Sequence, residues 1–383
     1  MSGTPLDNPH LDDAHLDNAH LDNAPLDRAR KGRGALSNRT GRFEPAATVA
    51  FDDGWESLAA DAADDAPAPR TILHPDRARR IIARNDSPDV PFDRSINPYR
   101  GCEHGCVYCF ARPTHAYMGL SPGLDFETRL FYKPAAAEIL DKELSAPGYK
   151  PAQMALGANT DPYQPAERRL ELTRKVLEVL AAYEHPVGII TKSALVLRDR
   201  DILAPMAAAN LASVCVSVTT LDRDLARIME PRAATPARRL ETIRRLTEAG
   251  IPVAVLVSPV LPAINDHEIE AILEAAAEAG ATRANTILLR LPGEIAGLVE
   301  EWLRAHFPDR ADRALNLLRS CRGGALYDPR FGKRMRGQGP YADMIGSRFA
   351  KACRRHGLNE RRWDLDLTRF RRPPRPGDQL ALL

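Results

Sequence analysis

From Ser95 onward, short apolar and often β-branched runs alternate with longer stretches whose apolar positions recur every three or four residues. The short runs, at 153–156, 187–190, 212–218, 253–257 and 286–289 with a shorter one near 95–97, have the length and composition of strands. Between them, 165–183, 199–209, 236–249 and 266–279 carry the helical period, and Pro165 and Gly250 stand where such helices start and stop. Strand followed by helix, repeated along the chain, predicts a parallel sheet with right-handed crossovers. A doubly wound open sheet and a partial barrel share that alternation, and periodicity does not choose between them. After Leu291 the pattern turns to helices and loops: 295–306, 309–319, the stretch "GKRMRGQGPY", and a helix near 343–356.

The first 69 residues follow another rule. Leucines at 6, 11, 16, 21 and 26 repeat every five positions, a period that suits neither helix nor strand. The expected organisation is a disordered low-complexity tail over 1–69 and a lead-in segment over 70–94. A core over 95–292 follows, then a helical, arginine-rich C-terminal extension over 293–383.

Of 383 residues, 44% are hydrophobic and 27% charged, close to ordinary soluble proteins. The longest apolar run, 251–264, contains three prolines and is shorter than the roughly 20 residues of a membrane span. No secretory leader is apparent, so a cytoplasmic location is expected. The net charge of +2 conceals opposite ends. Residues 1–69 hold 6 Lys and Arg against 13 Asp and Glu, a net of −7, while 319–383 hold 16 against 6, a net of +10.

Chemistry concentrates in "NPYRGCEHGCVYCFARPTH", where Cys102, Cys106 and Cys109 are spaced C-x3-C-x2-C. In a reducing compartment, clustered thiols favour metal ligation over disulfides. Three thiolates hold three corners of a [4Fe–4S] cluster and leave one iron open, and Gly101 and Gly105 let the backbone coil around it. Zinc is the competing reading, with His104 or His115 as fourth ligand, although no second ligand pair accompanies the loop. Cys215, Cys321 and Cys353 occur singly.

"CEHGCVYCF" resembles the cluster loop of the radical S-adenosylmethionine (SAM) superfamily, with Tyr108 at its usual aromatic position. "LGANTDPYQPAE", "IITKSALVLRD", "VSVTTLDRDLARIMEPRAATPARRL" and "PVAVLVSPVLPAIND" resemble the branch containing spore photoproduct lyase and DNA repair photolyase-like proteins. The resemblance covers about 95–292. It implies a partial (β/α)6 barrel, a [4Fe–4S] cluster on the three cysteines, SAM as co-substrate, and a reductant such as flavodoxin or ferredoxin. It also points to Tyr108, Asn159, Thr160, Asp161, Lys192, Ser217, Glu230 and Arg232 as candidate SAM contacts, with Thr219 beside Ser217. Glu230 and Arg232 have a second reading, as an ion pair with each other. Two departures concern the lyase route. Ala158 stands at the hydrogen-donor cysteine of those enzymes, and Phe110 at the tyrosine after the last cluster cysteine, which argues against thymine-dimer reversal by their chemistry. Arg330, Lys333, Arg334 and Arg336, near Phe331 and Tyr341, form a candidate nucleic-acid surface. Small-molecule or peptide substrates, and a metal-stabilised binding module without catalysis, are the alternatives.

Overall fold

The computed structural model describes residues 32–44, 70–360 and 364–374. Its strands are β1 (Ile72–Pro75), β2 (Ile82–Arg84), β3 (Arg94–Ile96), β4 (Tyr99–Arg100), β5 (Arg129–Tyr132), β6 (Met154–Leu156), β7 (Val187–Thr191), β8 (Ala212–Ser217), β9 (Val253–Val260) and β10 (Arg283–Leu288). Seven of them form one sheet in the order β10-β9-β8-β7-β6-β3-β2. β3, β6, β7, β8, β9 and β10 run parallel, and β2 lies antiparallel on the outer edge of β3. Six parallel strands joined by helical crossovers, with the sheet left open, make the partial (β/α)6 barrel; a second sheet, β1-β5-β4, stands beside it.

The sheet forms where the sequence supplies β-branched residues on alternate positions. Val253, Val255 and Val257 on β9 are at most 2% exposed with partly covered neighbours between them, and Val214 and Val216 on β8 are buried as well. The covering helices show the matching period: Pro236–Glu248 buries Arg239, Thr242, Ile243 and Leu246 on one stripe.

One expected helix divides. The segment 165–183 forms Glu167–Leu170 and Leu172–Ala182, separated at Glu171, whose φ of 51° is left-handed. The buried Glu167 carboxylate explains the break. It accepts hydrogen bonds from the Thr173 amide at 3.1 Å and the Arg174 amide at 3.4 Å, so the second helix starts on its own cap. The same carboxylate takes the Tyr99 hydroxyl and Arg198 Nη2, joining the helix start to the segment just before the cysteine loop.

Residues 32–44 correct the expectation of a tail running unbroken to residue 69. They form a strap with Ala35 and Leu36 at 0% and 2% exposure, and Ser37 donates to Glu301 at 2.7 Å. No hydrophobic period announces it, because the strap is held through backbone amides and glycines. The five-residue repeat lies outside the described residues.

The C-terminal helices Ile295–His306, Pro308–Ser320 and Pro340–Arg355 complete the fold. The first two share a single apolar cluster with Cys106, Val107 and Tyr108, centred on the fully buried Trp302. The cysteine loop is therefore packed by residues about 200 positions away, and the Trp302 indole in turn donates to Ile228 O of the helix Arg223–Met229 at 3.1 Å. Among the described residues no helix is long and apolar enough to cross a membrane. Replacing Trp302 with Ala is expected to remove about 3–5 kcal/mol of stability. A urea midpoint within error of the parent would contradict this packing.

Candidate active site

The parallel strands deliver their last residues to one edge of the sheet. β3 leads to Asn97 and the cysteine loop, β6 to Gly157–Asp161, β7 to Lys192, β8 ends on Ser217, and β10 leads to Arg290. Ligand groups gather at this edge in open α/β sheets and barrels.

The cysteine loop is a coil of turns. Gly101 and Gly105 have φ of 77° and 68°, a conformation costly for other residues. A Cβ on Gly105 would lie 2.8 Å from Glu127 Oε2. Cys102 and Cys106 are buried, Cys109 is partly exposed, and the three thiols interact electrostatically. Arg112, absent from the sequence-based candidates, organises the loop. Its guanidinium, 0% exposed, donates to Cys106 O at 2.9 Å, Gly105 O at 3.2 Å, Pro122 O at 3.0 Å and Gly123 O at 2.9 Å, and pairs with Glu127 at 2.5 Å. Glu127 also accepts the strap amides of Gly34 at 3.0 Å and Ala35 at 2.8 Å. The strap passes so close that a Cβ on Gly34 would stand 1.8 Å from Gly105 O. Gln164 closes the other side, accepting the Glu103 amide at 2.9 Å and donating to Gly101 O at 3.2 Å. The sequence reading missed these residues: Arg112 meets Glu127 15 positions on, while Glu127 and Gln164 bond partners 61 to 93 positions away.

Several candidate SAM contacts are already bonded to protein. Asp161 accepts from Thr191 Oγ1 and the Lys192 amide, both at 2.7 Å, and from the Tyr163 amide at 2.9 Å, while His104 Nδ1 lies 3.3 Å away. Burial opposes its charge, but His104 and these donors outweigh burial and hold its pKa down at about 2. Glu230 takes the Tyr108 hydroxyl, Thr219 Oγ1 at 2.7 Å, and the guanidinium of Arg239. Burial again opposes the charge, and Arg239, Lys192 and the hydrogen bonds bring its pKa to about 2. Glu230 and Arg232 do not pair with each other, since Arg232 turns outward to Glu103 at 3.1 Å. Thr160 Oγ1 donates to Tyr99 O at 3.0 Å, and the exposed Asn159 is held by its amide on Asn97 Oδ1 at 2.9 Å.

Of the candidate SAM contacts, Ser217, Lys192 and the exposed side chain of Asn159 are left for a ligand among the described residues. Ser217 Oγ is buried without a partner. Lys192 Nζ has no protein hydrogen bond among the described residues and lies 5.8 Å from the centre of the Tyr108 ring. Burial works against the ammonium, yet Cys106 and Glu230 keep its pKa above the ordinary range. At the rim, Phe110 is 45% exposed with the Arg290 guanidinium 5.4 Å from its ring centre, and Ala158 is partly buried beyond β6.

The donor set fits an iron–sulfur cluster and SAM. Burial pushes the Cys106 thiol up to about 12, so a bound metal must supply the charge that makes it a thiolate. Among the described residues no three His, Cys, Asp or Glu side chains converge on a single ion. Each histidine of the zinc reading uses one ring nitrogen, His104 Nδ1 toward Asp161 at 3.3 Å and His115 Nε2 toward Arg129 O at 3.0 Å, while His115 Nδ1 is buried without a partner among the described residues. The three thiols of the loop would supply three corners of a cluster.

Fold and loop together define a radical SAM protein, and the family described as the radical SAM superfamily matches residues 96–276. The chain belongs to that superfamily. It is 40% identical over 232 residues to an uncharacterized protein of Mycobacterium tuberculosis, covering 60% of this chain and 68% of that one. An uncharacterized protein of Methanocaldococcus jannaschii is 24% identical over 173 residues, 45% of this chain and 62% of its own. Among solved structures, spore photoproduct lyase complexed with dinucleoside spore photoproduct shares the fold. Its TM-score is 0.55 at 13% identity, over 75% of this chain and 80% of that one.

Asp161 and Glu230 ionise near 2 in the fold, against ordinary values of 3.8 and 4.5. Each therefore contributes roughly 2–3 kcal/mol, present in full above about pH 5 and lost as pH falls through 2. Glu230→Gln is expected to lower the urea midpoint at pH 7 and flatten its decline in acid. An acid limb as steep as the parent's would refute the assignment.

Proposed function

We propose that this chain is a radical SAM enzyme, with Cys102, Cys106 and Cys109 holding a [4Fe–4S] cluster. Bound there, the cluster supplies the electron for reductive cleavage of SAM to methionine and a 5′-deoxyadenosyl radical that abstracts hydrogen from the substrate. Lys192 is placed to pair with the SAM carboxylate, and Ser217 to bond a ribose or carboxylate oxygen. Tyr108, fixed by Glu230 and Thr219, backs Lys192, and Asp161 sets the Lys192 amide and His104 in place. Asp161, Glu230 and Thr160 act as positioning residues, while Asn159 is open to the ligand. The observation that supports this reading most is the partnerless Ser217 hydroxyl and the Lys192 ammonium lying beside a three-thiol loop over the strand ends.

For the substrate we take a nucleic-acid strand as the first reading. The basic loop is pinned to the rim of the sheet: Leu288 N donates to Met335 O at 2.9 Å, and Arg322 bridges Lys333 O and Arg334 O to Leu288 O and Leu289 O. Arg334 pairs with Asp89 and Arg330 with Asp328, so Lys333 and Arg336 are the cations left to meet phosphate, next to the 53% exposed Phe331. Dimer reversal by the lyase route is not part of the proposal, given Ala158 and Phe110.

Anaerobic reconstitution with iron and sulfide is expected to give a reducible cluster and dithionite-dependent 5′-deoxyadenosine, both lost in Cys106→Ala. Unchanged SAM cleavage in that variant would remove the loop as the radical source. Neutralising Lys333 and Arg336 together is expected to weaken single-stranded DNA or RNA binding and reduce its salt slope by about 1–2. An unaltered slope would turn the search to a small molecule or peptide.

A further inference from the structure

Four aromatic side chains stand open to water among the described residues: Phe43 at 53%, Phe110 at 45%, Tyr117 at 72% and Phe331 at 53%. A single exposed ring is ordinary, whereas a contiguous row marks a surface with a partner. These four form such a row, although they come from the strap, the end of the cysteine loop, the 3-10 helix Arg112–Met118 and the basic loop. Phe43 lies 5.2 Å from Tyr117, centre to centre, and Arg42 stands 5.6 Å from the Phe43 ring centre. A Cβ on Gly293 would meet Arg42 Nη2 at 3.1 Å and Pro113 Cγ at 3.8 Å, so the strap, the 3-10 helix and the segment after β10 converge there. Just before Gly293, Arg290 covers Phe110 at 5.4 Å and donates through Nη1 to Met335 Sδ at 3.4 Å. Met335 belongs to the basic loop, where Arg334 covers Phe331 at 4.5 Å.

The cations along the row are of two kinds. Arg42 is paired with Glu294 at 2.9 Å and Arg334 with Asp89 at 2.5 Å, which holds each guanidinium against its ring. Arg290 has no ion pair among the described residues, and its Nε is buried without a partner. A phosphate oxygen satisfies such a donor with a charge-assisted hydrogen bond. Arg39, 61% exposed at the strap, reaches Glu301 only at 3.6 Å. In the sequence, residues 28–43 hold six Lys and Arg and no Asp or Glu.

We propose that this row is a stacking track for an unpaired stretch of nucleic acid, with bases against Phe43 and Tyr117, Phe110 and Phe331, and phosphates on Arg290, Lys333 and Arg336. The inference rests on the nucleic-acid reading above and goes beyond it, fixing the form of the strand and giving the strap a part in binding. In a duplex the base faces are taken up by their own stack, so exposed rings gain little from it. An unpaired strand offers a free face to each ring, and every base serves, because the contact is to the π-face and not to a hydrogen-bonding edge. The arginines packed on three of the rings belong to the same surface, since guanidinium planes also stack on bases. Phe110 directly follows Cys109, so a nucleotide held there stands beside the thiol loop.

The test uses the full chain with its cluster reconstituted anaerobically, and fluorescence anisotropy with three labelled probes. They are an oligothymidylate of about 12 nucleotides, an abasic oligomer with the same phosphates, and a duplex of the same length. The variants are Phe43→Ala/Tyr117→Ala, the conservative Phe43→Tyr/Tyr117→Phe, and Lys333→Gln/Arg336→Gln, with melting temperature as the control for folding. The parent is expected to bind oligothymidylate about fivefold or more tighter than either other probe. Phe43→Ala/Tyr117→Ala loses about fivefold or more of its affinity for oligothymidylate, keeps the parent's salt slope and its affinity for the abasic oligomer, and keeps its melting temperature. The conservative variant binds as the parent does. Equal affinity of the parent for oligothymidylate and abasic oligomer, tighter binding of the duplex, or an unchanged oligothymidylate affinity in Phe43→Ala/Tyr117→Ala overturns the track. If Lys333→Gln/Arg336→Gln still lowers affinity and salt slope in that case, the nucleic-acid reading stands without it. A parent that binds none of the three probes overturns both; should it also sediment as a dimer that Phe43→Ala/Tyr117→Ala splits, the row is a contact between copies of the chain.

Discussion

A buried ion pair imposes the constraint on which the site depends. Arg112 and Glu127 are both 0% exposed, and removing two charges from water is tolerated only when nearly every donor and acceptor is satisfied. Satisfying them here recruits four segments. Carbonyls of Gly105 and Cys106 come from the cysteine loop, and those of Pro122 and Gly123 from the turn before the helix Asp125–Thr128. Glu127 itself follows in that helix, and the amides of Gly34 and Ala35 come from the strap. Such a pair adds little net stability relative to an apolar replacement, since desolvation offsets the attraction. What it provides is position: shifting any of the four segments leaves a charge unpaired in the interior. The approach of Gly34 to Gly105 O follows, because the amides that Glu127 requires lie on the far side of the loop.

That constraint divides the polar groups near the thiols into two kinds. Asp161, Glu230, Thr219 and Thr160 are saturated by protein partners and have become part of the wall. Ser217 and Lys192 are left unsatisfied at the ends of β8 and β7. A buried hydroxyl without a partner is unfavourable by about 1–3 kcal/mol, which a ligand oxygen or nitrogen would recover. The fixed wall makes the two open groups selective, since a side chain whose supports are rigid cannot turn to meet an arbitrary ligand.

The pattern of apolar positions located all six parallel strands to within a few residues, because short apolar runs, buried throughout in β3 and β6 and on alternate positions in β7 and most of β9, stand between helices of clear period. Boundaries moved where local hydrogen bonding competed, as at Glu171, where the Glu167 side chain cuts one expected helix into two. The three cysteines were legible because their spacing lies within a single loop. Arg112, Glu127, Arg239 and the strap were not: the strap meets Glu127 more than 90 positions away, and an isolated Arg or Glu looks the same in solvent as in a buried pair, even where its partner is as near as Glu230 is to Arg239. Glu230 illustrates the difference. Its neighbour Arg232 was one candidate partner in the sequence, yet the helix Pro236–Glu248 turns Arg239 inward to it and leaves Arg232 for Glu103.

At the end of β10 the basic loop is pinned to the rim of the sheet, where the Arg290 guanidinium stands 5.4 Å from the Phe110 ring centre. An arginine-rimmed cleft beside His104 is lined by Arg232, one of the candidate SAM contacts, and by Tyr163 and Ser193, which follow β6 and β7. The contact of His104 with Asp161 ties the middle of the cysteine loop to the segment after β6. The loop itself is compact because the Arg112 guanidinium, paired with Glu127, draws the Gly105 and Cys106 carbonyls onto one buried charge, which leaves His104 and Cys106 both in the interior.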